Sequence, residues 1–261
     1  MTESLERILI LFFSAMTVGL LVIAFPKLMK PYLKLLLAFS GALLLGITVM
    51  HILPEAYELG GAQVGLFVIV GFLLQIILDY FSGGIEHGHV HHPAQHHEHE
   101  HGKAITWTML LSLCVHAFTE SLPLGFDEQL HHVHDHLHDH GHHHHHHHHS
   151  HQGYLWGIVI HNIPITIALV GMMLGLKMSR AKTILFLFIF AASAPVGILV
   201  SPLISNNGQD MVVFSRILAL AGGIILHLST TILFETGENH RFNLYKMMVI
   251  LAGFGLALLA S

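Results

Sequence analysis

Residues 183–204 read TILFLFIFAASAPVGILVSPLI, a run of apolar and small residues without a charged side chain. A helix needs roughly 20 predominantly apolar residues to cross a bilayer, so this run predicts a membrane span. Runs of this kind recur along the chain and predict spans at 8–26, 35–57, 62–82, 104–126, 154–176, 183–204, 217–235 and 244–260. Only 10% of the 261 residues are charged, whereas a soluble domain carries about 25%. The sequence therefore predicts one all-α integral membrane domain over 1–261, an eight-transmembrane-helix bundle.

Lysine and arginine are distributed unevenly among the connections between these spans. Nine of the eleven lie in connections that would share one side of the membrane, namely Lys27, Lys30, Lys34, Lys103, Lys177, Arg180, Lys182, Arg241 and Lys246. Only Arg7 and Arg216 lie on the other side. Because positively charged loops stay in the cytosol, this asymmetry predicts that the nine are cytosolic and that both termini lie outside.

Two histidine-rich segments interrupt the apolar pattern. Residues 86–102 hold eight histidines and residues 127–152 hold fifteen, including the run 142–149. The charge asymmetry makes the first a cytosolic loop and the second an external loop. The run could be a purification tag, but its flank HHVHDHLHDHG favours a native loop. Clustered neutral imidazoles bind divalent metals, so we interpret both segments as metal-binding loops. The alternative is a solvated tether without a fixed fold.

Four histidines lie inside predicted spans, and ionisable groups there usually face the bundle interior or a water path. His116 and Glu120 are four residues apart, so they share one face of the fourth span. His161 and Asn162 begin a polar stretch of the fifth span at a similar predicted depth. An imidazole and a carboxylate can bind the same divalent ion, so we expect a metal site there. The alternative is that each residue makes an interhelical hydrogen bond and nothing more.

Other polar residues in the spans predict a transport path around this site. His51 and Glu55 lie near the outer end of the second span and suggest an entrance. His227 and Glu235 lie near the middle and the inner end of the seventh span. Each of the four is equally compatible with a hydrogen-bonded interior or interface residue. Asp79, near the inner end of the third span, is expected at the membrane interface.

The sequence resembles the ZIP family of zinc and iron transporters. His116 and Glu120 match the histidine and glutamate of the fourth-span motif of that family, and His161-Asn162-Ile163-Pro164 matches the opening of its fifth-span motif. Phe39-Ser40-Gly41 and His51-Ile52-Leu53-Pro54-Glu55 are also similar to the family. The resemblance implies eight spans, both termini outside, a His-rich cytosolic loop between spans three and four, and a metal site in spans four and five.

The second and seventh spans also end alike, in Ile52-Leu53-Pro54-Glu55 and Ile232-Leu233-Phe234-Glu235. Because these two spans run in opposite directions, the match predicts an inverted repeat of spans 1–3 and 6–8 around spans 4–5.

The departures from the family pattern concern a second metal ion. Ala117 and Ile165 stand where bacterial members typically have asparagine and glutamate, and Ala194 stands where they often have glutamate. The chain is therefore similar to a divergent bacterial-type member with a single site. Three ligands, His116, Glu120 and His161, helped by Asn162 or water, would suit tetrahedral zinc.

We expect a transporter that moves Zn²⁺ into the cytosol, with Fe²⁺, Mn²⁺ or another divalent ion as other cargoes. No cofactor, enzymatic activity or nucleic-acid partner is expected; the expected partners are divalent ions and the lipid bilayer, and a homodimer stays open. The expected location is multi-pass in a bacterial inner (plasma) membrane. The alternatives are a membrane-embedded zinc-dependent hydrolase, a non-transporting metal sensor or storage protein, and a cation-diffusion exporter. The chain lacks the His-Glu-x-x-His string of many zinc hydrolases, and it ends in a span, unlike cation-diffusion exporters.

Overall fold

The computed structural model describes residues 2–29, 32–82, 99–137, 147–204, 210–235 and 244–259, and these residues are almost entirely helical. The second long helix, α2, is continuous through Leu33–Ile47, Thr48–Ile52 and Leu53–Gly60. The others are α1 Thr2–Ala24, α3 Gly65–Ser82, α4 His99–Leu137, α5 His147–Gly175, α6 Arg180–Ile204, α7 Asp210–Glu235 and α8 Leu244–Leu259. Each predicted span overlaps one of these helices, although the first extends past Ala24 into a short helix Pro26–Met29, and the all-α class is confirmed.

Several helices are long and apolar enough to cross a membrane. By length and hydropathy there are six such stretches in the described residues, Glu3–Ala24, Leu33–Ser82, Trp107–Phe126, Gln152–Gly175, Arg180–Ile204 and Met211–Phe234. The helix Leu244–Leu259 is apolar but shorter, at 16 residues. The chain is a multi-pass membrane protein on this evidence, and the count of eight crossings stays a prediction.

The stretch Leu33–Ser82 has 50 residues, about twice what one crossing needs, and it folds back on itself. The end of α2 lies at the beginning of α7, where Gly60 packs against Ser215. Close to the end of α3, Asp79 contacts His227, which lies in the second half of α7. Helices α2 and α3 therefore run in opposite directions along α7. The reversal occurs at Gly61, whose φ of 65° is a left-handed conformation that glycine adopts at little cost.

The same alternation of direction continues through the other long helices. Ser112 of α4 bonds to Leu78 of α3. His116 lies one turn after Ser112, and it contacts Gln75, which lies almost one turn before Leu78. Helix α4 is therefore antiparallel to α3, and the contacts of the remaining helices follow the same rule. The beginning of α1 and the end of α8 consequently lie at the same end of the bundle. Which end faces outside stays a prediction.

Helices α3 and α7, and helices α4 and α6, cross with their backbones in contact through a glycine on each helix. A Cβ atom on Gly71 of α3 or on Gly223 of α7 would overlap a carbonyl oxygen of the other helix. Gly125 of α4 and Gly197 of α6 have the same relationship. Small residues permit such close approach in a membrane, where lipid removes the hydrophobic drive for helices to associate. These crossings set the positions of α3 and α4, the helices whose polar residues meet inside the bundle.

Helix α3 has an apolar outer face and a polar inner one. Its exposed side chains include Leu66, Ile69, Leu73 and Ile77, which suit contact with lipid. Gln75 lies on the opposite face and is completely buried. Polar side chains of a membrane helix are expected to point into the bundle, where other polar groups can bond to them.

Helix α2 is irregular near its middle. Residues Thr48–Ile52 form a π turn, in which the N–H of Leu53 donates to the carbonyl of Thr48, five residues earlier. Pro54 follows directly and lacks an N–H of its own. A π turn carries one more residue than a regular helical turn and is frequent at functional sites. His51 lies inside it.

Candidate metal centre

His116 and Glu120 of α4 meet His161 of α5 in the interior of the bundle, and all three side chains are completely buried. Their potential ligand atoms lie within 4.8 Å of one another. The Nε2 atom of His116 is 3.4 Å from Oε2 of Glu120, and the two imidazole rings are 6.1 Å apart between centroids. Among the residues that the structure describes, this is the one group of three or more histidine, cysteine or acidic side chains spaced to hold a metal ion.

The carboxylate of Glu120 lies in an unusual environment for a charged group. Both of its oxygens are buried and accept no hydrogen bond from the described residues. Burying an ionised carboxylate without a compensating partner is costly, and a bound divalent cation would remove that cost. Asn162, the residue after His161, is also buried, and its Oδ1 has no hydrogen-bond partner in the described part of the chain. These acceptor atoms could serve a cation.

Helix α2 orients His161 through Ser40. The hydroxyl of Ser40 donates to the carbonyl of Leu37 at 3.2 Å, and its oxygen lies 3.4 Å from Nδ1 of His161. Since its proton is used on Leu37, the Ser40 oxygen is left to accept from an Nδ1–H group. The lone pair of the neutral imidazole is then on Nε2, where a metal ion can be bound.

A second contact joins α5 to α4 beside the carboxylate. The hydroxyl of Tyr154 donates to the backbone carbonyl of Glu120 at 2.5 Å. Tyr154 is only 3% exposed, so this bond is shielded from solvent. The two helices that contribute the three side chains are thus held together next to Glu120.

A chain of polar contacts leads from His116 into α3 and α7. Its Nδ1 atom lies 3.1 Å from Oε1 of Gln75, and Nε2 of Gln75 donates to Oδ1 of Asp79 at 3.3 Å. The other Asp79 oxygen is 3.4 Å from Nδ1 of His227, whose ring packs edge-on against Phe72 at 4.8 Å. The side chain of Asp79 is 16% exposed and contacts Gln75 and His227, and its predicted position at the membrane interface stays a prediction.

Sequence reasoning missed Gln75 altogether. A signal was present, because Gln75 and Asp79 are four residues apart in an otherwise apolar span. The same spacing singled out His116 and Glu120 in the next span.

The predicted path residues lie apart from the three-residue group. His51 and Glu55 are half-buried on α2, and His51 follows Ser40 by eleven residues, which is about 16 Å along a helix axis. They lie toward the end of the bundle that holds the beginning of α1. His227 lies toward the opposite end and is linked to the group by the polar chain through Asp79 and Gln75. Glu235 is the last residue of α7, and its side chain is outside the described residues.

The histidine-rich segments are described only at their edges. Residues 86–98 and 138–146 lie outside the described residues, while α4 begins at His99 and continues to Leu137, and α5 begins at His147. Metal binding by these segments stays a prediction.

Comparison with known proteins connects part of this fold to a family. The family model for the ZIP zinc transporter matches residues 153–261. The matched segment contains most of α5 and the whole of α6, α7 and α8. It includes His161 and Asn162 and excludes His116 and Glu120. No match was found among curated proteins.

Proposed function

We propose that the chain moves Zn²⁺ into the cytosol through His116, Glu120 and His161. The premise is that residues 153–261 carry a domain of the ZIP zinc transporter family, which confirms the predicted resemblance. The family itself points to the transport of divalent metal ions rather than to catalysis. One observation carries the choice of site. His161 lies inside the matched segment, His116 and Glu120 lie outside it, and the potential ligand atoms of all three lie within 4.8 Å of one another.

The donor set suits a zinc ion that must also be released. Two imidazole nitrogens and one carboxylate leave the fourth tetrahedral position for water or Asn162. The carboxylate offsets part of the +2 charge, which would otherwise be expensive to bury in a membrane. Ala117, Ile165 and Ala194 are buried and have no atoms that can ligate a second ion. We therefore propose one ion, with ligand distances of roughly 2.0–2.2 Å.

The proposed route runs from one end of the bundle to the other. Eight crossings with both termini outside put His51 and Glu55 on the outer side of the site, and His227 and Glu235 on the cytosolic side. The ion exchanges its water for the three ligands near mid-membrane, and the bundle then changes the side from which the site is reached. If the cytosol is negative, two charges moving inward gain about 4.6 kcal/mol per 100 mV. We propose the inner membrane of a bacterium as the location and leave a homodimer as an open possibility.

Radioactive zinc flux into proteoliposomes tests the proposal directly. Purified protein should carry zinc into vesicles, and Fe²⁺ or Mn²⁺ in excess should compete if they share the site. Vesicles with the Glu120→Ala variant serve as the matched control for leakage and for surface binding. An absence of zinc flux, or equal flux with Glu120→Ala, would contradict transport through this site. Release of a hydrolysis product without flux would favour the hydrolase alternative.

A further inference from the structure

Gln75 connects the candidate metal centre to Asp79 and, through it, to His227. Its side chain is completely buried between α3, α4 and α7. One end of its amide faces Nδ1 of His116, and the other faces the carboxylate of Asp79. It contributes no atom to the group formed by His116, Glu120 and His161. Its role must therefore be exerted through His116.

The chemistry of the three side chains determines which atoms carry protons. An ionised carboxylate can only accept hydrogen bonds, so the Gln75 atom facing Asp79 must be the amide nitrogen. The amide oxygen of Gln75 then faces His116 at 3.1 Å and can only accept, so Nδ1 of His116 must donate. A neutral imidazole with its proton on Nδ1 has its lone pair on Nε2.

Nε2 is the His116 atom that faces Glu120, at 3.4 Å. When Glu120 is ionised, a lone pair facing its oxygen gives two acceptors with no proton between them, and a cation can bridge such a pair. The alternative tautomer would place a proton on Nε2, directed at Glu120, and would block the nitrogen as a ligand. The orientation of one amide thus decides whether His116 can bind an ion.

We propose that Gln75 is a positioning residue that holds His116 in the Nδ1–H tautomer and directs Nε2 at the transported ion, with Asp79 fixing the orientation of its amide. This inference rests on the proposed metal site. Groups that hydrogen-bond the far nitrogen of a ligating histidine typically change metal affinity by roughly 10–100-fold when they are removed. Gln75 would act in this way from a neighbouring helix.

The first test compares the apparent KM for zinc flux in Gln75→Leu and Ser112→Ala. Leucine keeps much of the volume of glutamine and removes both hydrogen bonds, so KM should rise roughly 10–100-fold. Ser112 lies one turn before His116 and donates to the carbonyl of Leu78 at 2.6 Å across the same α3–α4 interface. Ser112→Ala therefore loosens the interface without touching the ligands, and its KM should stay at the wild-type value.

The second test reverses the polarity of the amide–carboxylate bond. In the double variant Gln75→Glu/Asp79→Asn, the introduced carboxylate accepts from His116 and from the introduced amide, and the net charge is unchanged. Its KM should return close to the wild-type value, while Gln75→Glu and Asp79→Asn alone stay impaired. Gln75→Leu/Asp79→Asn should not recover. A residue that only fills space would show no such dependence on bond direction.

Zinc-binding isotherms of the purified full-length chain separate this inference from transport itself. The isotherm of His116→Ala is subtracted from the others, which removes the binding by the histidine-rich segments. A wild-type KM for Gln75→Leu in an active transporter would overturn the role of Gln75 and leave transport intact. If the wild type shows no flux but Gln75→Leu binds zinc more weakly, transport fails and the inference stands. Identical isotherms for wild type and His116→Ala would overturn both.

If Gln75→Leu does not fold, the inference is tested by comparing the KM of Gln75→Glu/Asp79→Asn with that of Gln75→Glu. An absence of recovery in the double variant would then overturn the inference.

Discussion

The Nε2 atom of His116 lies 3.4 Å from Oε2 of Glu120, one helical turn later on the same buried face of α4. If both atoms bind one ion together with His161, no single ligand is dispensable. His116→Ala, Glu120→Ala and His161→Ala should each lower zinc flux by more than the roughly 10–100-fold expected from losing an orienting group. Glu120→Gln keeps the shape and loses the charge, so it should fail nearly as badly. His131→Ala, in the second histidine-rich segment, is the control and should transport normally; wild-type flux in Glu120→Gln would refute the site.

Ser40 should matter for zinc affinity through His161. Ser40→Ala removes the oxygen that accepts from Nδ1–H of His161, so KM should rise, by less than in Gln75→Leu because the contact is longer, at 3.4 Å against 3.1 Å. Ser229→Ala is the matched control, since Ser229 is equally buried and its hydroxyl has no hydrogen-bond partner in the described part of the chain. Flux assays over a range of zinc concentrations give both KM values. Equal KM values for the two variants would show that Ser40 does not orient His161 for zinc binding.

Cysteine labelling can test which end of the bundle faces outside. In a Cys114→Ser background, cysteines introduced at Ala94 and Ser150 should react with a membrane-impermeant reagent from opposite sides. The reason is the nine-to-two distribution of lysine and arginine. Ser150 should label in intact cells and Ala94 only after the membrane is opened. Labelling of both positions from the same side of the membrane would contradict the eight-span topology.

The second histidine-rich segment should be accessory. Deletion of residues 131–149 should reduce flux at low external zinc and leave saturated flux largely intact, because its imidazoles raise the local metal concentration without lining the route. The measurement is zinc uptake at low and at saturating concentrations. Complete loss of flux in a correctly inserted protein would show that this segment has an essential role.

The crossing of α3 and α7 should be sensitive to a single methyl group. Gly223→Ala puts a Cβ into the carbonyl of Val68, which forces the helices apart and should cost about 1–3 kcal/mol of stability. Gly171→Ala is the control, since a Cβ there meets nothing within 4 Å. Thermal unfolding in detergent should show a lower Tm for Gly223→Ala only. A Tm equal to that of Gly171→Ala would mean that the crossing can relax.

The helices could be predicted from the sequence because long apolar runs have few alternatives in lipid. The common face of His116 and Glu120 could also be predicted, since four residues make about one helical turn. The contact of His116 with Gln75 could not, because it depends on how far α3 is shifted and rotated against α4. Local spacing also describes His51 and Glu55 less well, since it assumes a regular helix and His51 lies in a π turn.

That π turn has a mechanical consequence for α2. Sharp bends in helices concentrate where the regular ladder of hydrogen bonds is interrupted, so Thr48–Ile52 is the joint at which α2 is expected to bend. Ser40, which orients His161, lies on one side of the joint, and the segment that ends at Gly60 lies on the other. A bend at this turn would therefore change the direction of the segment that ends at Gly60 relative to the segment that supports the ligand.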